Sequence, residues 1–208
     1  MARRRDLADQ QRRLSAATWS VLAERGLPGL TLRAVAEAAG CTTGMVLHTF
    51  ADKRALLVLA RELLHGRTGQ RADAAQAGAD TPLAALRAVL LQAASPTEEK
   101  REEARVWVGF LAAALADPVL ADLHRGYNRR FVDRVRGLVA AARPDWRPAD
   151  CAATATSLVA LVEGLNALAA VDPDTYPDEA QRLAIDAALT QLSPRPVAAG
   201  QPDPRLAR

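Results

Sequence analysis

Thr31, Thr42, Thr43 and Thr49, with Arg33, His48 and Lys53, put four hydroxyls, an imidazole and two cations into one short stretch of the chain. Groups of this kind donate hydrogen bonds to phosphate oxygens and to the edges of bases. Bond-making chemistry needs other arrangements, and the sequence lacks their signatures. His48, His65 and His124 are the only histidines, none is four residues from another, and there is no HExxH, CxxC, phosphate-binding glycine loop or GxSxG elbow. Neither an enzyme nor a bound metal or cofactor is therefore expected.

The spacing of three small residues says what would position those groups. In TLRAVAEAAGCTTGMVLHTF, residues 31–50, Ala36 is followed by Gly40 four positions on and by Val46 six further. A helix-turn-helix needs a small residue where its helices cross, a residue tolerant of positive φ at the turn, and an apolar residue pointing back into the core. With those three fixed, Thr42, Thr43, Met45, Leu47, His48 and Thr49 fall on or near the opposite face, which would enter a major groove. In an Ala-rich chain the same intervals also suit a plain helical hairpin. Charge favours the first reading. Residues 1–57 carry nine basic and five acidic side chains, and the remaining 151 carry 18 and 19, so a basic head precedes a near-neutral body. Arg3, Arg4, Arg5, Arg12 and Arg13 would form an arm along phosphates or in the minor groove, although a solvated surface explains them too.

The elements around this stretch read as all helix, because Ala, Leu, Arg and Glu dominate, apolar and polar residues do not alternate, and aromatics make up only 4%. Nine helices are expected. The first four run from about Asp6 to Arg25, from Leu32 after the cap Thr31, from Thr42 to about His48, and from the cap Asp52 to Gly66 or beyond. The other five cover about 81–94, 98–116, 118–142, 148–170 and 177–192. The tail, 193–208, holds four of the 12 prolines and is expected to be disordered. Cys41 and Cys151 make no disulfide framework, and the charged start lacks the apolar run of an export signal, so a reducing, cytoplasmic setting is expected. The stretch 151–171 is long enough to span a bilayer. It contains Glu163 and Asn166 and lacks aromatic flanks, so a helix buried on most of its faces, and no membrane partner, is the expectation.

With these residues in view, the chain is identified as resembling the TetR family of bacterial transcriptional regulators. The runs AATWSVLAERG, TLRAVAEAAG, TTGMVLHTF and DKRALL carry that resemblance. The segments WVGFLAAALADPVL and LVEGLNALAAVDP are similar, more weakly, to the choline-responsive BetI-type branch. The resemblance implies an all-α, TetR-like fold: a DNA-binding helix-turn-helix domain at 1–51 and an effector-binding, dimer-forming domain at 52–192. It implies phosphate contacts from Thr31 and the Lys53 region, and phosphate and base contacts from 42–49. Leu47 departs from the family, which usually has Tyr there, so apolar contact replaces a phenol hydrogen bond.

In the body, small residues such as Ala152, Ala153 and Ala160, with bulky Leu158, Leu161 and Leu165, call for partners on more than one side of 148–170. Pairing that helix and 177–192 with their copies gives a four-helix homodimer interface, against an intrachain core as the simpler account. Two heads about 34–36 Å apart would then read a palindromic duplex operator. Trp107, Phe110, Leu111, His124, Tyr127, Phe131, Glu163 and Asn166 are the expected lining of a pocket for a small-molecule effector of unspecified identity. Core packing explains Trp107 and Phe110 equally well. The expected function is a transcriptional regulator, a repressor released by its effector. A ligand-independent architectural DNA binder and an all-helical enzyme are the alternatives.

Overall fold

The computed structural model describes residues 2–94 and 97–192, with backbone alone for residues 2–8, Glu98 and Glu99. The expected disorder of 193–208 and the side chains of Arg3, Arg4 and Arg5 lie outside the described residues. Among these, nine helices and no strand are present: α1 (Ala2–Gly29), α2 (Leu32–Ala38), α3 (Thr43–Thr49), α4 (Lys53–Ala77), α5 (Pro82–Ala93), α6 (Glu98–Ala114), α7 (Pro118–Ala142), α8 (Pro148–Ala169) and α9 (Asp178–Thr190).

Local chemistry sets most of the starts. Thr31, Thr42, Asp52, Thr81, Thr97 and Asp117 each sit in extended backbone and accept a hydrogen bond from an N–H of the first turn. Proline follows at the first turn of α5, α7 and α8, where its missing N–H costs nothing. α1 differs from expectation at its end. Helical bonding resumes for one turn beyond Gly26, which itself adopts φ 63° and ψ −171° and so kinks the chain there. Glycine tolerates that conformation and a residue with a Cβ does not.

Two apolar cores result. The first joins Leu14, Val21, Leu22, Val35 and Val46 of the three N-terminal helices, with Leu30 of the α1–α2 link, to Leu56, Leu57, Ala60 and Leu64 of α4 and to Phe110, Ala114 and Leu120 at the α6–α7 corner. The second lies among α5, α7, α8 and α9, around Leu86, Leu90, Val139, Val162 and Ile185, and takes in Ala72 of α4. α4 thus belongs to both. The expectation that α8 is covered on most faces is corrected within the single chain. It is long and apolar enough to cross a membrane, yet only a third of its most apolar stretch is buried. One side packs inward through Cys151, Ala155, Leu158, Val162 and Leu165, while Ala153, Ser157, Ala160 and Leu168 stay exposed.

Candidate nucleic-acid interface and ligand cavity

The head is built around the three small residues. Ala36 is 3% exposed and Val46 fully buried, so α2 and α3 meet as the spacing requires. Gly40 has φ 62°, and its N–H and that of Cys41 return to the carbonyls of Glu37 and Ala36, closing the turn. The Arg13 guanidinium donates to the Ala39 carbonyl over 2.9 Å and so ties α1 to that turn, while Arg12 pairs with Asp9. Both arginines are engaged within the fold.

α3 turns outward. Only Val46 of its seven residues is buried, and Thr42, Thr43, Met45, Leu47, His48 and Thr49 are all exposed. Met45 and Leu47 stand 42% and 49% exposed and put apolar surface on this outward face beside the threonine hydroxyls. The Thr31 oxygen accepts from Ala34 N–H at 3.0 Å and the Thr42 oxygen from Met45 N–H at 3.3 Å. Each hydroxyl keeps its hydrogen for an outside acceptor such as phosphate. The Thr49 hydroxyl instead donates to the Met45 carbonyl. Arg33 is exposed at the first turn of α2. Lys53 Nζ donates to the Leu27 carbonyl over 2.9 Å, leaving two of its three N–H groups to point elsewhere.

Behind the head, α4, α5, α6, α7 and α8 surround a cavity of about 290 Å³. Six of the eight residues expected to line it do so: Trp107, His124, Tyr127, Phe131, Glu163 and Asn166. Phe110 and Leu111 are not in its wall. Phe110 is 2% exposed in the first core, with the Arg61 guanidinium 5.7 Å from its ring centroid, and Leu111 is half-buried beside it on α6. Sequence reasoning missed Arg61, His65, Gln92 and Lys100, all of which face the cavity. A signal existed for Arg61: Leu57, Arg61, Leu64, Thr68 and Ala72 share one helical stripe, so a charge sits in apolar register.

Arg61 is the centre of the polar wall. It is 7% exposed, and its guanidinium lies over the Tyr127 ring at 4.6 Å. Burial pulls its pKa down, against the opposing pull of the Glu163 carboxylate and Tyr127. Burial likewise pushes Glu163 up to about 7, in spite of Arg61. His65, whose ring stacks on Tyr127 at 4.0 Å, and His124 are both held below the usual histidine value by burial and then by Arg61 and other nearby arginines. Elsewhere in the wall Arg134 pairs with Asp73, and Glu103 with Arg71 of the adjoining turn. No group of three or more metal-ligating side chains occurs among the described residues.

An outward-facing helix-turn-helix joined by one shared helix to a body with a polar-edged cavity defines the class of helix-turn-helix transcriptional regulators. Known proteins of that class resemble this chain along most of its length. Residues 14–60 match the family described as bacterial regulatory proteins, tetR family, and residues 82–194 match the BetI-type transcriptional repressor C-terminal family. The chain belongs to the TetR family, with a BetI-type C-terminal region. It is 34% identical over 187 residues to the HTH-type transcriptional regulator BetI of Burkholderia mallei, covering 86% of this chain and 91% of that one. A transcriptional regulator from Rhodococcus sp. Rha1 superposes with a TM-score of 0.79 at 29% identity, over 87% of this chain and 94% of the other. A transcriptional regulator from Saccharomonospora viridis, solved in complex with choline, superposes with a TM-score of 0.81 at 18% identity, over 88% and 96% of the two chains. That last likeness is one of fold.

Proposed function

We propose that this protein is a repressor that binds a palindromic operator as a homodimer and lets go when a small molecule fills the cavity. It would act on the chromosome in the cytoplasm, as a regulator and not as an enzyme. Residues 1–51 would form the DNA-reading unit and 52–192 the effector and dimer unit. The observation that carries the reading is α4: its first turns pack in the core of the head, and Arg61, His65, Thr68 and Ala72 further along it line the cavity. A ligand that prefers one position of α4 therefore changes how the head is held. The Arg54 to Asp117 ion pair, 2.5 Å long, ties the start of α4 to the cap of α7 and supplies a second link. A purely architectural binder would leave the cavity without a role.

The dimer is supported by the apolar surface that α8 and α9 leave open. Ala153, Ser157, Ala160, Gly164 and Leu168 lie along one stripe of α8, and Leu183 of α9 is 62% exposed. A Cβ at Gly164 would meet nothing within 4 Å, so the small residue answers no need inside the chain and suits close approach by a second copy. An effector that binds the released state about 100-fold more tightly would weaken operator binding by roughly 2.7 kcal/mol. By likeness to the Saccharomonospora viridis protein, choline is one compound to assay, with its cation toward Glu163.

Gel-shift titration against the protein's own promoter region and a scrambled duplex is the decisive measurement. The wild-type protein is expected to prefer the promoter. Thr42→Val and His48→Ala are expected to relax that preference, whereas Lys53→Ala weakens binding to every duplex and lowers the salt slope by about one. No preference over the scrambled duplex would overturn the reading. Equal effects of all three substitutions on both duplexes would overturn the division between base-reading and phosphate contacts.

A further inference from the structure

Arg61 on α4 and Glu163 on α8 face the same cavity with opposite charges. Among the described residues, Arg61 has an Nε without a hydrogen-bond partner and no carboxylate within ion-pair distance. Glu163 likewise makes no hydrogen bond or ion pair there. Two charges held largely out of water, neighbours but not in contact, are costly unless something else completes them. Gln92 Nε2 and His124 Nδ1, also in the wall, are buried and unpartnered as well. Of the other charges in the wall, Arg134 pairs with Asp73 and Glu103 with Arg71, Lys100 Nζ donates to the Leu91 carbonyl, and Arg130 is exposed beside the Tyr127 ring. Val89, Ala104, Trp107 and Phe131 give the wall an apolar part, and Thr68, Asn128 and Asn166 add neutral polar groups.

A simple cation would meet Glu163 and leave Arg61 as it stands. A simple anion would meet Arg61 and bring a second negative charge beside Glu163. Only a molecule with both kinds of charge completes both groups. We propose that the cavity takes a compact zwitterion, its carboxylate against Arg61, its ammonium against Glu163, and its apolar remainder against Trp107 and Phe131. Gln92 adds a donor to the carboxylate end. This assignment rests on reading the cavity as the effector site, but it is tested by binding to the protein alone.

Calorimetric titration of the full chain with three matched sets provides the test: alanine, propionate and ethylamine; leucine, 4-methylpentanoate and 3-methylbutylamine; phenylalanine, 3-phenylpropanoate and 2-phenylethylamine, with choline alongside. In at least one set the amino acid is expected to bind about tenfold or more tightly than both of its single-charge counterparts, because each counterpart leaves a buried charge unmet. Glu163→Gln is expected to abolish the advantage over the acid, and Arg61→Gln the advantage over the amine. If Arg61→Gln fails to fold by circular dichroism, the isosteric Glu163→Gln still decides the matter. An amine or choline that binds as tightly as every amino acid, an unchanged ranking in Glu163→Gln, or no binding by any compound would overturn the proposal. Failure of the regulator reading shows separately, as absent promoter preference in the unliganded wild-type protein.

Discussion

The carboxyl of Glu163 couples the cavity to pH. Burial raises its pKa from 4.5 to about 7, and Arg61 on α4 only partly opposes this, while His65 of α4 and His124 of α7 are held below the usual histidine value by burial and by Arg61. An acid whose folded pKa exceeds its unfolded one holds more protons in the native state between those values. Stability is therefore lost as pH rises from about 4.5 through about 7. Glu163→Gln removes that loss. The variant is expected to be more stable than wild type at pH 8, by up to roughly 3 kcal/mol, and little different at pH 5. Urea unfolding at the two pH values checks this, and an equal gain at both would show that packing, not ionisation, is responsible. Glu163 was legible in the sequence as a lone carboxylate on an apolar helix. Its counterpart was not, because ARELLHGR reads as an ordinary solvated face, and only the register of Arg61 with Leu57 and Leu64 betrays its burial. Phe110 misled for the converse reason: an aromatic on a central helix fills a core or a cavity equally well, and burial against α1 and α4 decided for the core.

Among the elements, the turn between α2 and α3 depends on one residue. Gly40 sits at φ 62°, and a Cβ placed there would come no nearer than 3.9 Å to another atom, the Arg13 guanidinium nitrogen. The space is free, so the cost of Gly40→Ala is conformational alone, about 1–2 kcal/mol. Thermal unfolding is expected to show that loss together with weakened promoter binding, since α3 is aimed by this turn. A variant of unchanged stability and affinity would mean the turn adapts without glycine. Helices of this kind were legible because their punctuation is chemical. Thr31 and Asp52 begin helices where the sequence placed caps, and α7 has the bounds expected. The end of α1 was less so. Gly26 does break the helix, yet Pro28 is compatible with a further turn, and backbone bonding alone cannot be read from residue types.

For the molecule as a whole, the open side of α8 and α9 is the surface on which the proposed dimer depends. Leu183→Glu places a charge in that surface, where pairing would bury it without a partner. Analytical ultracentrifugation is expected to show a dimer for wild type and a folded monomer for the variant, whose promoter affinity falls about 100-fold through loss of the second head. A wild-type monomer at micromolar concentration would remove the dimer from the mechanism. The contrast between basic head and neutral body was visible in composition, and the two helices of this surface were singled out by their residues, but burial against a copy and burial within the chain demand the same residues, so the choice between them was not. The first core has a practical corollary for anyone exchanging readers between relatives. Leu56, Leu57, Ala60 and Leu64, with Phe110 and Leu120 from far along the chain, close the underside of the trihelical unit. A graft cut cleanly at residue 51 would expose a greasy base with nothing to seal it. A chimaera that keeps its solubility and its new promoter choice has to carry the opening turns of α4 and matching side chains from the α6–α7 corner along with the head.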